Sequence, residues 1–339
     1  MTRSPHPLSI TVAGAGIAGL WQALTLARAG HQVRLIEHSA EPFAHAASAY
    51  AGAMLAPFCE DEGAEPVVRD LGIAALEIWQ ETYPGTVSRG SLVVAAARDR
   101  AEIARFSRMT GGHETVAAER IGALEPDLAG RFDAGLFYAG EAHVAPLEAM
   151  AFLLDEARRA GVEASFGTPW QPPPTGDNDY IIDCRGLAAR DSLPGLRGVR
   201  GERLVVRAPE ISFTRPVRLL HPRHPLYVVP WGGHRYLLGA TVIESDDTRP
   251  ITVRSALELL GMAYALHPAF GEAEILDAGA GVRPAFADNV PHIVVAGRTL
   301  HVNGMFRHGF LLAPMLARLV ADYLEGGQAD ARVFRIGSG

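Results

Sequence analysis

The stretch from Leu8 to Glu37 reads LSITVAGAGIAGLWQALTLARAGHQVRLIE and contains the strongest local pattern of the chain. Leu8 to Ala13 predicts a short buried strand, and Ile17 to Ala29 predicts an amphipathic helix that ends at Gly30. His31 to Glu37 predicts a second strand. The order strand, helix, strand predicts a Rossmann-like unit at the start of an α/β fold.

Gly14, Gly16 and Gly19 occupy the turn between this strand and this helix. In a dinucleotide-binding loop the first glycine makes the tight turn, the second admits a pyrophosphate, and the third lets the helix pack on the strand. Glu37 ends the second strand, where a carboxylate accepts hydrogen bonds from ribose hydroxyls and disfavours a 2′-phosphate. The pattern therefore favours FAD or NAD over NADP. A purely structural glycine turn, or a signal peptide beginning at Arg3, is the weaker interpretation.

The composition excludes several kinds of chemistry. The 339 residues include 38 acidic and 31 basic side chains, a net charge of −7, and every basic residue is arginine. Without lysine there is no pyridoxal Schiff base and no P-loop lysine. The acidic balance argues against nucleic acid and anionic membranes as partners.

Cys59 and Cys184 indicate neither a disulfide framework nor a metal site, so we expect a reducing cytoplasm.

The remaining patterns predict two interleaved domains. The segments beyond the first unit predict strands at 91–96, 180–183 and 293–296, helices at 98–109, 145–161 and 311–324, a β-rich stretch at 204–241, and a Pro-rich turn at 172–176. We expect a discontinuous nucleotide-binding domain over residues 1–85, 140–200 and 275–339. An antiparallel substrate domain is expected over 86–139 and 201–274, with a ligand cleft between the two domains.

Five further segments resemble the D-amino-acid oxidase family of flavoproteins, and within it the glycine oxidases of thiamine biosynthesis. These segments are SAYAGAMLAP (48–57) with Glu60, DCRGLAAR (183–190), YVVPWGGHRYLLGAT (227–241), GVRP (281–284) and NGMFRHGFLLAP (303–314). The similarity runs from about residue 8 to about residue 320. It implies FAD held non-covalently, because neither cysteine stands where related sarcosine oxidases attach their flavin.

The resemblance also implies which residues contact FAD. Ile17 and Ala18 would meet the pyrophosphate, Glu37 and His38 the ribose, and Trp170 the adenine through its backbone. The other implied cofactor residues are Gly14, Gly16, Gly19, Ala47, Ser48, Gly52, Ala53, Met54, Gly186, Met305, Phe306, Arg307, His308, Gly309, Phe310 and Leu311.

Arg283, Arg307 and Tyr227 match family positions that anchor the substrate carboxylate. A guanidinium group holds a carboxylate by two parallel hydrogen bonds, which an ammonium group does not do. His308 and Pro225 depart from the family pattern, so the resemblance leaves the choice among glycine, sarcosine and a small D-amino acid open. No catalytic acid or base is assigned, and no metal site is expected. His221 and His224 are interpreted as loop histidines.

The expected function is oxidative deamination of a small amino acid by an FAD-dependent oxidase, with oxygen or another acceptor taking the electrons. Three alternatives remain: a D-amino-acid dehydrogenase that uses a quinone or carrier, a tRNA-modification oxidoreductase of the same fold, and a nucleotide-binding protein without catalysis. A homo-oligomer is compatible with the resemblance.

Overall fold

The computed structural model describes residues 6–171 and 179–336. The predicted Pro-rich turn at 172–176 lies outside the described residues. The fold is α/β with two large sheets, as the sequence predicts, and its N-terminal strand, helix and second strand are confirmed.

The helices are α1 (Ile17–Arg28), α2 (Pro57–Glu60), α3 (Pro66–Thr82), α4 (Arg100–Met109), α5 (Ala118–Leu124), α6 (Pro146–Arg159), α7 (Val253–Leu266) and α8 (Gly309–Leu324). The strands are β1 (Ser9–Ala13), β2 (Gln32–Ile36), β3 (Met54–Leu55), β4 (Ser91–Ala95), β5 (Glu114–Ala117), β6 (Ala134–Tyr138), β7 (Ala142–His143), β8 (Glu163–Ser165), β9 (Tyr180–Asp183), β10 (Arg197–Arg207), β11 (Val217–Leu220), β12 (Leu226–Pro230), β13 (Arg235–Gly239), β14 (Ile243–Glu244), β15 (Glu274–Ala285), β16 (His292–Ala296), β17 (Thr299–Asn303) and β18 (Phe334–Ile336).

The first sheet has the strand order β18-β16-β17-β9-β1-β2-β8 and is parallel except where β16 pairs with β17. Its core packs against α1 and α8. Within this core Trp21 meets Trp79 edge to face at 4.9 Å between ring centroids, and Trp79 donates from Nε1 to Phe310 O at 2.7 Å. This contact fixes the first turn of α8 on the helices beneath it.

The second sheet has the order β14-β10-β13-β12-β11-β4-β6-β5, and β15 pairs antiparallel with β10 along its whole length. One face is apolar and covers a second core, because residues along each strand alternate between faces. Its members include Leu204, Val206, Leu219, Leu226, Val228 and Leu238. The other face carries the polar side chains described below.

Several elements were not predicted from the sequence, notably the helices α3 and α7 and the long strand β15. The strand β10 runs across the boundary placed between residues 200 and 201, and β15 pairs with β10 rather than with the parallel sheet. The exact domain boundaries stay a prediction. Within residues 6–171 and 179–336, no helix has both the length and the apolar character needed to cross a bilayer.

Candidate active site

The loop between β1 and α1 has the geometry of a glycine-dependent turn. Gly14 adopts φ +96°, and a Cβ placed on it would lie 2.6 Å from the carbonyl oxygen of Cys184. A Cβ on Gly19 would overlap the carbonyl oxygen of Gly14. Gly16 is the N-cap of α1 and has no side chain with which to cap the helix. The loop therefore presents the positive end of α1 to an anionic group.

The carboxylate of Glu37 closes the other side of this loop. It accepts hydrogen bonds from Ala15 N at 2.8 Å and from Ser39 N at 3.0 Å. The ring of His38 is mostly exposed, and its Nδ1 lies 2.7 Å from Glu37 Oε1. The predicted acid thus lies beside the glycine turn, where a ribose would reach it.

Two helix N-termini converge on the same region. Ser48 Oγ accepts a hydrogen bond from Ile17 N at 3.1 Å. A Cβ on Gly309, the first residue of α8, would lie 3.6 Å from the side chain of Ile17. In neither helix does the N-cap residue supply a side-chain cap, and neither helix has an acidic residue in its first turn. Two positive helix ends without acidic side chains suit a diphosphate and the negative charge of a reduced flavin.

The other predicted cofactor residues lie on segments around this point. Ala53 and Phe306 both have positive φ, +53° and +49°, and Phe306 N donates to Pro284 O at 2.9 Å. This bond holds the segment before α8 against the end of β15. The remaining members fall in the first turn of α1 (Ala18), in the short helix 47–50 (Ala47), before and in β3 (Gly52, Met54), and around the start of α8 (Met305, His308, Phe310, Leu311).

Trp170 contacts Arg185, in the segment that follows β9. Its ring stacks over the guanidinium of Arg185 at 5.3 Å and lines a cavity of about 560 Å³ with Asp183 and His301. His301 Nδ1 lies 2.9 Å from Asp183 Oδ2, and the pKa of Asp183 is lowered to about 2 because hydrogen bonds from His301 and Arg185 outweigh its burial. Gly186 has φ +58°. The adenine contact of Trp170 and the cofactor role of Gly186 stay predictions.

The polar face of the second sheet carries the proposed substrate residues. Arg218 in β11 lies directly opposite Tyr227 in β12, and Tyr227 lies opposite Gly239 in β13. The Tyr227 ring lies over Gly239 and against Gly52, where added Cβ atoms would come within 2.7 Å and 2.9 Å of it. These two glycines make the space that the tyrosine ring fills.

Arg283 in β15 points to the same face as Tyr227, with its guanidinium against Gly201 of β10. Among the residues that the structure describes, no carboxylate pairs with Arg283, and its one direct hydrogen bond joins Nη1 to Thr241 O at 3.3 Å. Burial lowers the pKa of this guanidinium, although it remains a cation at any physiological pH. A partly buried cation that pairs with no carboxylate is suited to binding an anion.

Arg307 forms an ion pair with Glu60, a contact that the sequence did not predict. Glu60 Oε2 lies 2.9 Å from Arg307 Nη2, and Glu60 Oε1 lies 2.7 Å from Arg218 Nη2. Burial alone would raise the pKa of Glu60, but the two guanidinium groups outweigh it and hold that pKa well below the usual range. His308 Nδ1 lies 3.3 Å from Glu60 Oε2, and burial lowers the pKa of His308 to about 4. The site therefore contains three arginines, one carboxylate and a neutral imidazole.

Sequence reasoning missed Arg218 and gave Glu60 no role. The alternation in VRLL at 217–220 places Arg218 on the face opposite its apolar neighbours, which is a signal for a polar strand face. Its partner Glu60 is 158 positions away, so the pair could not be read locally. His221 and His224, which were interpreted as loop histidines, stack on each other with 5.6 Å between ring centroids. Nδ1 of His224 lies 3.5 Å from Glu258 Oε2.

Comparison with known proteins agrees with this geometry. A model of the FAD dependent oxidoreductase family matches residues 9–323. A Rhizobium etli protein, named provisionally as the thiamine biosynthesis oxidoreductase ThiO, is 52% identical over 328 residues, which cover 96% of this chain and 99% of that one. Glycine oxidase of Geobacillus kaustophilus is 27% identical, with 94% of this chain and 93% of the relative covered.

Solved structures show the same fold. The crystal structure of that Geobacillus glycine oxidase has a TM-score of 0.79 at 22% identity, with coverage of 95% and 96%. Iminodiacetate oxidase from Chelativorans sp. has a TM-score of 0.80 at 23% identity, with coverage of 97% and 100%. With its glycine turn, its convergent helix ends and a family match over nearly its whole length, this chain belongs to the FAD dependent oxidoreductases and uses FAD as its cofactor.

Proposed function

We propose that this protein oxidises glycine or a similarly small amino acid at the carbon that carries the amine. The substrate loses a hydride from Cα and a proton from nitrogen, and becomes an imino acid. Water then converts the imino acid to a 2-oxo acid and ammonia, unless thiazole formation consumes it first. When bound, FAD supplies the two-electron acceptor at N5, and oxygen is the simplest final acceptor, with release of peroxide.

The observation that carries this proposal is the partly buried Arg283, which pairs with no carboxylate among the described residues. Its planar guanidinium can hold a substrate carboxylate by two hydrogen bonds in a site of low dielectric. Tyr227 lies on the same face of the sheet, and burial raises the pKa of its hydroxyl, so it remains a hydrogen-bond donor for the carboxylate. Together with Arg307, these groups would fix the substrate by its carboxylate and leave Cα free to face the flavin.

The same groups favour the neutral amine of the substrate. Arg218, Arg283 and Arg307 bring three positive charges, whereas Glu60 brings one negative charge. A substrate ammonium group is disfavoured near this excess of positive charge, so it tends to lose a proton on binding. The protein then needs no strong base of its own.

The cofactor residues remain proposals in detail, but the cradle fits FAD. Backbone amides at Ile17 and Ala18 with the Ser48 hydroxyl would hold the diphosphate, and Glu37 would take the ribose. The segment from Met305 to Leu311, which leads into α8, would follow the flavin and set the positive helix end near its N1.

The relatives support a place in thiamine biosynthesis. The Rhizobium etli protein is similar over nearly the full length of both chains, and its name refers to that pathway. Other relatives carry the name glycine oxidase. We therefore propose that the imino acid made here feeds the thiazole branch of thiamine synthesis. Expression in a thiamine-requiring host that lacks its own glycine-oxidising enzyme should restore growth without thiamine.

The direct test is an anaerobic titration of the purified FAD protein with glycine, sarcosine and D-alanine, with the flavin absorbance as the signal. At least one of them should bleach the flavin, and air should restore the colour with one peroxide per turnover. If none of these or other small amino acids reduces the flavin, the proposed function is wrong. Reduction with no peroxide in air, but with turnover on an artificial acceptor, would point to a dehydrogenase instead.

A further inference from the structure

Arg218 is a mostly buried arginine to which the proposed anchoring of the substrate carboxylate assigns no role. It lies in β11 opposite Tyr227, on the sheet face that carries the substrate residues. Its side chain is 13% exposed, and its Nε has no hydrogen-bond partner among the described residues. Burying a guanidinium is costly unless its partners compensate it. Its ion-pair partner is the Glu60 carboxylate, and the nearby buried carboxylate of Glu141 also favours its charge.

Glu60 connects Arg218 to Arg307 through separate oxygens. Oε1 lies 2.7 Å from Arg218 Nη2, and Oε2 lies 2.9 Å from Arg307 Nη2. The Glu60 side chain is 12% exposed, whereas that of Arg307 is 36% exposed. Arg218 and Glu60 thus form the buried end of the chain of contacts, and Arg307 forms the accessible end.

The turn that carries Glu60 is itself fixed. Phe58 N and Cys59 N donate to Glu141 Oε1 at 3.1 Å and 2.7 Å, and Glu141 is fully buried. Because these bonds hold the backbone of α2, Glu60 cannot move far to follow a shift of Arg307. Its remaining freedom is rotation of the carboxylate, and the bond to Arg218 removes that freedom.

We propose that Arg218 is a positioning residue for Arg307 and acts through the Glu60 carboxylate. This inference rests on the proposed function, in which Arg307 helps to bind the substrate carboxylate. With Arg218 present, Glu60 gives one oxygen to each arginine, and Arg307 keeps donors for the substrate. Without Arg218, both oxygens of Glu60 turn to Arg307, which then forms a two-point pair with Glu60 and is withdrawn from the substrate.

The test is a double-mutant cycle on the FAD-loaded protein, with Arg218→Met, Arg307→Met and the double variant. Arg218→Met should raise the KM for glycine about 10-fold to 100-fold, because small misplacements of binding groups have effects of this size. Its kcat should change by less than about 3-fold, because ground-state binding is what is lost. In the Arg307→Met background, Arg218→Met should have no further effect on KM.

Two companion variants separate positioning from folding. Arg218→Lys keeps a cation opposite Glu60 and should recover part of the loss in KM. Arg215→Met is the matched control, because Arg215 forms a buried pair with Glu125 at 2.8 Å just before the same strand. Arg215→Met should lower the melting temperature while the KM stays unchanged.

The inference is overturned if Arg218→Met has the wild-type KM, or if its effect on KM adds to that of Arg307→Met, which would indicate an independent contact with the substrate. If Arg218→Met does not retain flavin, Glu60→Gln replaces it in the cycle and must show the same dependence on Arg307. These outcomes are distinct from failure of the proposed function, in which the wild-type flavin is not reduced by any amino acid.

Discussion

Arg200 in β10 and Arg283 in β15 lie on opposite faces of this pair of strands, and they differ in their hydrogen-bond partners. In the β10–β15 register, Arg283 is opposite Val199 and Arg200 is opposite Val282. Arg200 pairs with Glu202 at 2.6 Å and donates to three carbonyl oxygens of the following loop, Asp247 O, Arg249 O and Pro250 O, at 2.6 to 2.8 Å. Arg283 has a single long hydrogen bond to Thr241 O.

The difference separates an arginine that stabilises the fold from one that is available to a ligand. Arg200 and Glu202 are both nearly inaccessible, and every hydrogen bond that burial removed is replaced within the protein. Arg283 is partly buried and has no such compensation among the described residues, which costs stability. Uncompensated groups of this kind are found where activity needs them, because selection accepts the loss of stability there.

The largest expected effect is that of Arg283→Ala. Removing one partner of a desolvated charge pair should lower kcat/KM for glycine about 100-fold to 1000-fold. Since no protein carboxylate is left behind, the melting temperature should stay the same or rise. Steady-state kinetics and thermal unfolding of the yellow protein measure both. Unchanged kinetics, or a clear loss of stability, would remove the distinction between the two arginines.

Arg200→Met should show the opposite pattern. It leaves Glu202 buried without its cation and three carbonyl groups without their donors, so the free energy of unfolding should fall by about 3 to 5 kcal/mol. The KM for glycine should stay close to that of the wild type. Urea unfolding gives the first quantity. Arg249→Met is the control, since Arg249 is 84% exposed in the same loop and its loss should barely change unfolding.

Acid should act on the site region through His308. Burial lowers the pKa of His308 to about 4; Glu60 opposes this shift, and Arg307, Arg218 and Arg283 reinforce it. Between pH 6.5 and pH 4 the unfolded chain binds a proton at this imidazole and the folded chain does not. Stability from this group is therefore complete above pH 6.5 and falls with pH, by about 2 kcal/mol at pH 5.

His308→Asn measures this contribution. The variant should lose less stability than the wild type when urea unfolding is compared at pH 7.5 and pH 5. The other buried histidines are common to both proteins, so their contributions cancel in the difference. An identical pH dependence in the two proteins would show that His308 is not held neutral beside the cations.

The two halves of the site differ in how well the sequence predicts them. The glycine turn, Glu37 and α1 lie within 30 residues, and local spacing is enough to predict their proximity and the roles expected of them. The partners of Arg307 do not, since Glu60 is 247 positions away and Arg218 comes from a third segment. Resemblance identified Arg283 and Tyr227 without showing what surrounds them. The apolar periodicity of the segment that forms α3 is sufficient to predict this helix from the sequence.

The smallest expected effect tests whether the pairing of β10 with β15 sets the position of the Arg283 side chain. Gly201 lies opposite Gly281, and a Cβ on Gly201 would overlap the guanidinium of Arg283. Gly201→Ala should therefore displace Arg283 and raise the KM for glycine about 10-fold, while the sheet stays folded because alanine costs less entropy than glycine. Gly195→Ala is the control, because the space around Gly195 is open.

If Gly201→Ala keeps the wild-type KM, the position of Arg283 is not set by this glycine, and the substrate carboxylate itself must draw the arginine into place. A raised KM with unchanged stability would instead show that Arg283, unlike Arg200, is positioned by a missing side chain rather than by partners.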